Sequence, residues 1–408
     1  MTRARLRIES IAAGGDGVAH HDGLAVFVPR AAPGDLVDVT LDMRGRFARG
    51  RIDALVEPSA DRVAPPCVHY TRDHCGGCQL QHVRYDAQLT AKRRIIGDAV
   101  QRIGRRELPD VAVQPSPREW GYRTKLTLAL RSRGGRWLAG LHPYDNPDRV
   151  FQLEECLITD DKVVAIWRTI FEAAELFPRV PRLRGAVRVT AEGASFVLEG
   201  GSRWPNAAAF ADRVPALTTV WWDPERGRRR LLVDRRPGTS PDASFVQVNA
   251  AAAPLLHDHV VATALSHAPR TVVDAYAGAG ATAVRLAEHG PTVVAIELDP
   301  AAVRWMAEHL PAPSRAIAGR VEDALHTALP ADVVIVNPPR TGVDERVTNV
   351  LRESAAPRAV IYVSCNPATL ARDLGRLPNY RLASMKAFDM FPQTAHVETV
   401  CELVPEEA

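Results

Sequence analysis

The residues with the clearest chemistry lie in the last third of a 408-residue chain. The run VIYVSCNPATLARDL reads as a strand ending in Cys365, with Asn366 as the N-cap and Pro367 in the first position of the following helix. A thiol at a helix N-terminus feels the positive end of the macrodipole. That lowers its pKa and favours the thiolate, the form that attacks carbon. A lone cysteine is more often an inert core residue, but at the mouth of a sheet the nucleophile is the better reading. In TVVDAYAGAGATAVRLAEH, Asp274, Gly278 and Gly280 stand between a strand and a helix, where glycine lets the backbone approach a ligand. Ala283 occupies the third glycine position of a dinucleotide fingerprint, and no phosphate-loop lysine is nearby. TVVAIELDP ends the next strand in Glu297, a carboxylate placed to hold both hydroxyls of a ribose. VVIVNPPRTG ends another in Asn337, where Pro338 and Pro339 turn the chain out over the sheet edge. Farther upstream Cys67, Cys75 and Cys78 crowd together, a spacing that suggests a metal site in a chain without an export signal.

These residues need a scaffold, and the sequence is long enough for two or three domains. Hydrophobic residues make up 46% and charged residues 24%, which excludes a disordered or fibrous chain. No apolar run reaches the length of a membrane span, so a cytoplasmic enzyme is expected. Net charge is only +3, but nearly all the positive charge is arginine, the side chain best suited to phosphate forks and base stacking. The first 58 or so residues alternate apolar and polar positions between turn sequences and predict a small OB-type barrel. A helix is expected from Tyr85 to about Arg105, with Ile95, Ile96 and Ile103 inward and Lys92, Arg93, Arg94, Arg102, Arg105 and Arg106 as a basic, solvated or RNA-facing set. Strand patterns dominate from Trp120 to Asp242. There a turn rich in arginine, from Arg226 to Arg236, lies beside Trp221 and Trp222, which suit either base stacking or core packing. From about Ser244 strands and helices alternate, the signature of a doubly wound, mostly parallel sheet.

FVQVN from Phe245, DAYAGAG from Asp274, PPRTG, SCNPATLARD and DMFPQTAHVE occur in this order and cover the C-terminal half. Together they resemble the S-adenosylmethionine-dependent RNA uracil-5-methyltransferases, which make 5-methyluridine, and the resemblance extends over nearly the whole chain. It implies a multidomain α/β protein with a C-terminal Rossmann-like class I methyltransferase domain, an N-terminal OB-type TRAM barrel and a β-rich central domain. Gln247, Tyr276, Glu297 and Asn337 would bind S-adenosylmethionine, Cys365 would be the nucleophile, and Glu398 the general base. Many relatives carry Asp where Asn337 stands, which removes a negative charge here. Arg320 stands where an acidic or amide residue is expected near the cofactor, with Glu322 or Asp323 as substitutes.

The resemblance also adds Cys156 to Cys67, Cys75 and Cys78 as ligands of a [4Fe-4S] cluster. Tetrahedral zinc is the alternative, with His69, His74 and His82 close enough in sequence to substitute. The implied domains are residues 1–58 for the barrel, 59–84 and 113–242 for the central domain with the cluster, and 85–112 with 243–408 for the methyltransferase domain. The implied partner is RNA, ribosomal first and transfer RNA second, acted on by a monomer with no membrane partner. The competing reading is a non-catalytic RNA-binding protein that keeps a methyltransferase-like fold. Cytosine-5 methylation is a further rival, but NPPR lacks the cysteine such enzymes usually place there.

Overall fold

A computed structural model describes residues 2–108, 110–236 and 247–406. Phe245 and the proposed boundary at 242/243 lie outside the described residues. The chain opens with β1 (Thr2–Arg7), β2 (Ser10–Ile11), β3 (Gly17–His21), β4 (Leu24–Val28), β5 (Leu36–Met43) and β6 (Phe47–Glu57). The period-two pattern of LVDVTLDM buries Val37, Val39 and Leu41 against Val26 and Val28. The strand order is β1-β5-β6-β4-β3-β2, so β1 and β2 are opposite edges and do not pair with each other. Ile8 N–H donates to Asp35 O beside β5 while Glu9 N–H donates to Val18 O on β3, so these two residues carry the chain from one edge to the other. The result is a curled half-barrel, which shows the expected OB-type barrel only in part.

Helices α1 (Val68–Thr71) and α2 (Tyr85–Arg102) follow, then β7 (Ala112–Gln114). Of the predicted apolar stripe of α2, Ile95, Ile96, Ala99 and Val100 are buried, whereas Ile103 lies just past the helix and is exposed. Most of the basic set is the solvated face expected from sequence, with Arg93, Arg94, Arg102 and Arg105 exposed, and Lys92 and Arg106 depart from it. Lys92 is wholly buried against Asp389, Arg93 pairs with Asp110, and Arg94 donates to Glu9 O. Beyond the helix, which ends at Arg102, Arg106 donates to the Tyr380, Leu374 and Leu377 carbonyls. Lys92 and Arg106 therefore fasten this segment to its neighbours.

The middle of the chain contributes β8 (Lys125–Arg133), β9 (Arg136–Leu141), β10 (Phe151–Gln152), α3 (Asp161–Glu172), β11 (Arg182–Thr190), β12 (Gly193–Glu199), α4 (Ala207–Arg213), β13 (Leu217–Asp223) and β14 (Arg230–Asp234). Its sheet runs β10-β9-β8-β11-β12-β13-β14. Leu126, Leu128 and Leu130 alternate onto the face covered by Trp167, Phe196 and Phe210. Each such side chain contributes about 1.5–3 kcal/mol when fully buried. Trp222 is part of this core and donates its indole N–H to Gly200 O. In the adjoining turn Arg229, Arg235 and Arg236 pair with Asp223, Asp212 and Asp234. Strand β10 stops at Gln152, which leaves Cys156 in a loop.

The last part contains α5 (Ala253–Ser266), β15 (Thr271–Ala275), α6 (Ala281–Glu288), β16 (Thr292–Glu297), α7 (Pro300–His309), β17 (Arg315–Ala318), α8 (Val321–Ala324), β18 (Val333–Val336), α9 (Glu345–Glu353), β19 (Ala359–Ser364), α10 (Pro367–Gly375), β20 (Tyr380–Phe388) and β21 (Glu398–Pro405). The sheet order is β17-β16-β15-β18-β19-β21-β20-β7. Strands β15 to β19 are parallel, and β21 inserts antiparallel between β19 and β20. The chain order reverses between β15 and β18, which opens a crevice at their carboxyl ends. Among the described residues no helix is long and apolar enough to cross a membrane.

Candidate active site

Three loops meet at that crevice. The first follows β15. Tyr276 (φ 62°), Gly278 (φ 58°) and Gly280 (φ 81°) turn it tightly into α6. A Cβ on Gly280 would run into the Met306 side chain, and its left-handed conformation adds strain for any other residue. Gly280→Ala is therefore expected to destabilise the protein by roughly 2–4 kcal/mol, read by thermal or denaturant unfolding. Glu297, at the end of β16, is tied to the same loop. Its Oε2 accepts from Gly278 N–H at 2.8 Å, and its Oε1 accepts from Leu298 and Asp299 N–H at 2.7 and 3.0 Å. A carboxylate offers about four acceptor sites, so most of this one's capacity is spent on backbone and little is left for two ribose hydroxyls.

The second loop, Asn337 to Gly342, leaves β18, and the third leaves β19 at Cys365. They are laced together. Asn366 Nδ2 and Thr369 Oγ1 donate to Arg340 O, and buried Asp373 accepts from Val343 N–H and the Tyr362 hydroxyl. Asn366 also caps α10 by accepting from Ala368 N–H at 3.1 Å, with Pro367 at the helix start as the sequence predicts.

One cavity of about 610 Å³ joins the loops, and Gln247, Tyr276, Glu297, Asn337, Cys365 and Glu398 all line it. A smaller cavity of about 110 Å³ adjoins it, sharing Gln247, Tyr276, Gly278 and Asn337. The buried Asp274 faces this annex, its Oδ2 has no hydrogen-bond partner, and burial with Glu297 nearby pushes its pKa up to about 7. The sequence marked Asp274 only as part of a turn. An orphaned acceptor beside a glycine turn fits a ligand that brings a donor, and the open wall beside Glu297, Gly319 and Glu322 has room for a nucleoside.

Glu398 is 3% exposed at the first position of β21, which excludes a solvated carboxylate on the last strand. Burial pushes its pKa up to about 8, partly offset by Arg340. The Cys365 thiol departs from expectation. Burial and the neighbouring Glu398 push its pKa up, while Arg340 and the local backbone pull it down, so the helix terminus does not set the balance. Arg340 is thus the cation that acts on both Cys365 and Glu398. Arg123 lines the same cavity from before β8, held by backbone bonds to Ile158 and Asp160. Neither arginine was singled out from the sequence. Arg340 sits within a recognised turn, whereas nothing local distinguishes Arg123. Of the proposed substitutes near Arg320, Glu322 lines the cavity and pairs with Arg320, while Asp323 pairs with Arg346.

A separate cavity of about 280 Å³ is lined by Cys67, Cys75, Cys78 and Cys156, all four as free thiols. Among the described residues no three His, Cys, Asp or Glu side chains converge closely enough to hold a single ion. The histidines considered as substitutes are engaged elsewhere. His69 bonds Asp73 through Nδ1 and accepts the Glu154 and Glu155 N–H groups at Nε2. His82 bonds the Tyr70 hydroxyl, and His74 pairs with Asp145. Arg30 reaches this wall from the half-barrel, donating to Cys75 O at 2.6 Å and lying 3.3 Å over the Tyr70 ring. Its buried Nη1 has no partner. Four thiols around a hollow, with Nη1 of Arg30 unpaired beside them, leave room for a multi-atom group ligated by thiolate in place of one ion.

Residues 314–404 match the family model described as tRNA (Uracil-5-)-methyltransferase. An uncharacterized RNA methyltransferase of Halalkalibacterium halodurans is 30% identical over 97% of this chain and 95% of its own length. The chain belongs to the RNA methyltransferase family that these relatives share. A second RNA methyltransferase, from Gloeobacter violaceus, is 34% identical over 97% of this chain and 95% of its own length. The methyltransferase also shares its fold with the Pyrococcus abyssi tRNA (uracil-54, C5)-methyltransferase, solved with S-adenosyl-L-homocysteine. That match has a TM-score of 0.70 and 24% identity and covers 98% and 100% of the two chains.

Proposed function

We propose that this methyltransferase carries a methyl group from S-adenosylmethionine to C5 of a uridine in RNA through a covalent bond between Cys365 and uracil C6. The observation that carries the proposal is the single cavity in which Cys365, Glu398 and Arg340 meet Gln247, Tyr276, Glu297 and Asn337. The cofactor supplies an electrophilic methyl. Uracil C5 is too weak a nucleophile to take it unaided. Addition of the Cys365 thiolate to C6 forms the C–S bond and drives the C5–C6 π electrons onto O4 as an enolate. The enolate then collapses so that C5 bonds the methyl carbon while the methyl–sulfur bond breaks and S-adenosylhomocysteine leaves as the neutral thioether. C5 now carries both the methyl and its original proton. Glu398 removes that proton, the electrons restore the C5–C6 double bond, and the C6–S bond breaks to return the thiolate. Arg340 favours the anionic form of each residue in turn. A base within a duplex cannot reach this cavity, so the uridine enters flipped out or unpaired.

The four-cysteine hollow is proposed to hold a [4Fe-4S] cluster in preference to zinc, with Arg30 as the cation facing the thiolate-bound centre. Protein purified without oxygen is expected to be brown and to contain about four iron and four sulfide per chain. Colour lost in Cys78→Ser with methyl-donor binding intact is the expected control. Colourless protein with stoichiometric zinc contradicts the assignment.

Ribosomal RNA is the proposed substrate, gripped by the half-barrel (1–58), the central sheet (59–84 with 113–242) and the methyltransferase unit (85–112 with 243–408). Transfer RNA is the second reading, favoured by the names of the matching family and of the Pyrococcus abyssi protein. Parallel methylation of unmodified ribosomal and transfer RNA, with the product nucleoside identified by mass spectrometry, separates the two. It also separates both from cytosine methylation and from a protein that binds RNA without modifying it.

A further inference from the structure

We infer that the buried Lys92–Asp389 ion pair is a positioning device that holds Phe391 as the aromatic wall on which the target base stacks. The inference rests on the reading of the cavity as a uridine-methylation site. Both side chains are completely buried, with Lys92 Nζ 2.5 Å from Asp389 Oδ1. The pair brackets one residue. Lys92 Nζ donates to Phe391 O at 3.0 Å, and Asp389 Oδ1 accepts from Phe391 N–H at 3.1 Å. Both backbone polar groups of Phe391 therefore end on the same two charges.

Desolvating an ion pair costs several kcal/mol per ion, and an apolar pair of similar volume is often neutral or stabilising in its place. Asp389 Oδ2 is moreover left without a hydrogen-bond partner. Stability alone does not explain this pair, whereas its position does. The segment it holds runs directly into Glu398, and Phe391 lines the cavity with Cys365 and Glu398. The rest of the segment is fixed as firmly. Gln88 and Gln393 exchange two hydrogen bonds of 2.9 Å, Tyr122 donates to Pro392 O, and Gln79 and Leu80 N–H donate to Gln393 O. Gln393 is kept at φ 68° by these contacts. Thus α2 sets the position of a cavity residue about 300 positions later.

A flipped uracil needs a π surface opposite its ring while C6 faces Cys365. Among the described residues, Tyr276 and Phe391 are the aromatic side chains on this cavity, and Tyr276 belongs to the glycine turn. Base–aromatic stacking is worth about 1–3 kcal/mol, equivalent to a roughly 5- to 150-fold change in affinity.

The test compares Phe391→Leu, Phe391→Tyr and the apolar double replacement of Lys92→Met with Asp389→Leu. Each is measured for unfolding temperature, S-adenosylhomocysteine affinity, and KM and kcat on an unmodified RNA transcript. Phe391→Leu is expected to raise KM for RNA about tenfold or more with S-adenosylhomocysteine affinity unchanged, and Phe391→Tyr to retain most of the wild-type KM. The apolar pair is expected to raise KM similarly without a lower unfolding temperature, and adding Phe391→Leu to it gives little further loss. Wild-type KM in Phe391→Leu overturns the inference, as does wild-type KM in a stably folded apolar pair. If the apolar pair fails to fold, the Leu-versus-Tyr contrast at Phe391 decides the stacking role, and wild-type KM in Lys92→Met alone then overturns the positioning role. Wild-type protein that makes no 5-methyluridine removes the underlying reading instead, whatever the variants do.

Discussion

Cys365→Ala lowers methyl transfer by at least about 10⁴-fold, with S-adenosylhomocysteine affinity and unfolding temperature near wild type. The size follows from chemistry at uracil C5, where without addition at C6 no enolate forms and the ring carbon stays nearly inert. Stability changes little because Cys365 is only partly buried and has no packing role comparable to that of the core residues around it. Arg340 keeps its backbone bonds to Asn366 and Thr369 in the variant, so the loops stay in register. A fall of only a few fold, measured as radiolabelled methyl incorporated into RNA, contradicts the covalent route.

Glu398→Gln divides the reaction at a different point. Addition and methyl transfer precede the need for the base, so the variant is expected to accumulate protein bound to methylated RNA and to turn over about 10³-fold more slowly. The pH dependence has a definite sign. The carboxylate is the form proposed to accept the C5 proton, and its pKa is pushed up to about 8, so the rate at which wild type releases methylated RNA from the adduct is expected to rise as pH increases through about 8. Stability moves the opposite way. Burial raises the acid from its ordinary 4.5, so the folded state holds the proton more tightly than the unfolded one. Its contribution is therefore lost as pH rises from about 4.5 to about 8, on the order of 5 kcal/mol over the window. Glu398→Gln removes this term. The unfolding free energy of the variant relative to wild type should increase across the same window, and a flat difference between pH 5 and pH 9 contradicts the assignment. One group thus sacrifices stability for function at neutral pH.

The loops of the site are legible in sequence because each is punctuated by its own chemistry: Gly278 and Gly280 turn, Pro338 and Pro339 end a strand, and Asn366 and Pro367 start a helix. Six residues expected in the site, drawn from stretches spread over 150 positions, line one cavity. What the sequence hid depends on tertiary surroundings. The helix terminus at Cys365 is a local feature of one element, whereas the burial and Glu398 that raise the thiol pKa come from others. Lys92 was grouped with its charged neighbours, although it stands three and four residues before Ile95 and Ile96, on the stripe that is buried. That spacing was the available signal. Arg123 offered none, because it reaches the cavity through a short backbone bridge far from any motif. At the N-terminus the alternating pattern predicts the strands correctly but not whether the two edges of the curled sheet join.

Peptide mass spectrometry of wild-type protein incubated with S-adenosylmethionine and RNA carrying 5-fluorouridine tests the central claim most directly. Fluorine at C5 cannot leave as the proton does, so the last step is blocked. The covalent route predicts a peptide in which Cys365 carries a uridylate bearing both methyl and fluorine at C5. Methyl transfer to uridine with no adduct on Cys365, or an adduct on another residue, contradicts it.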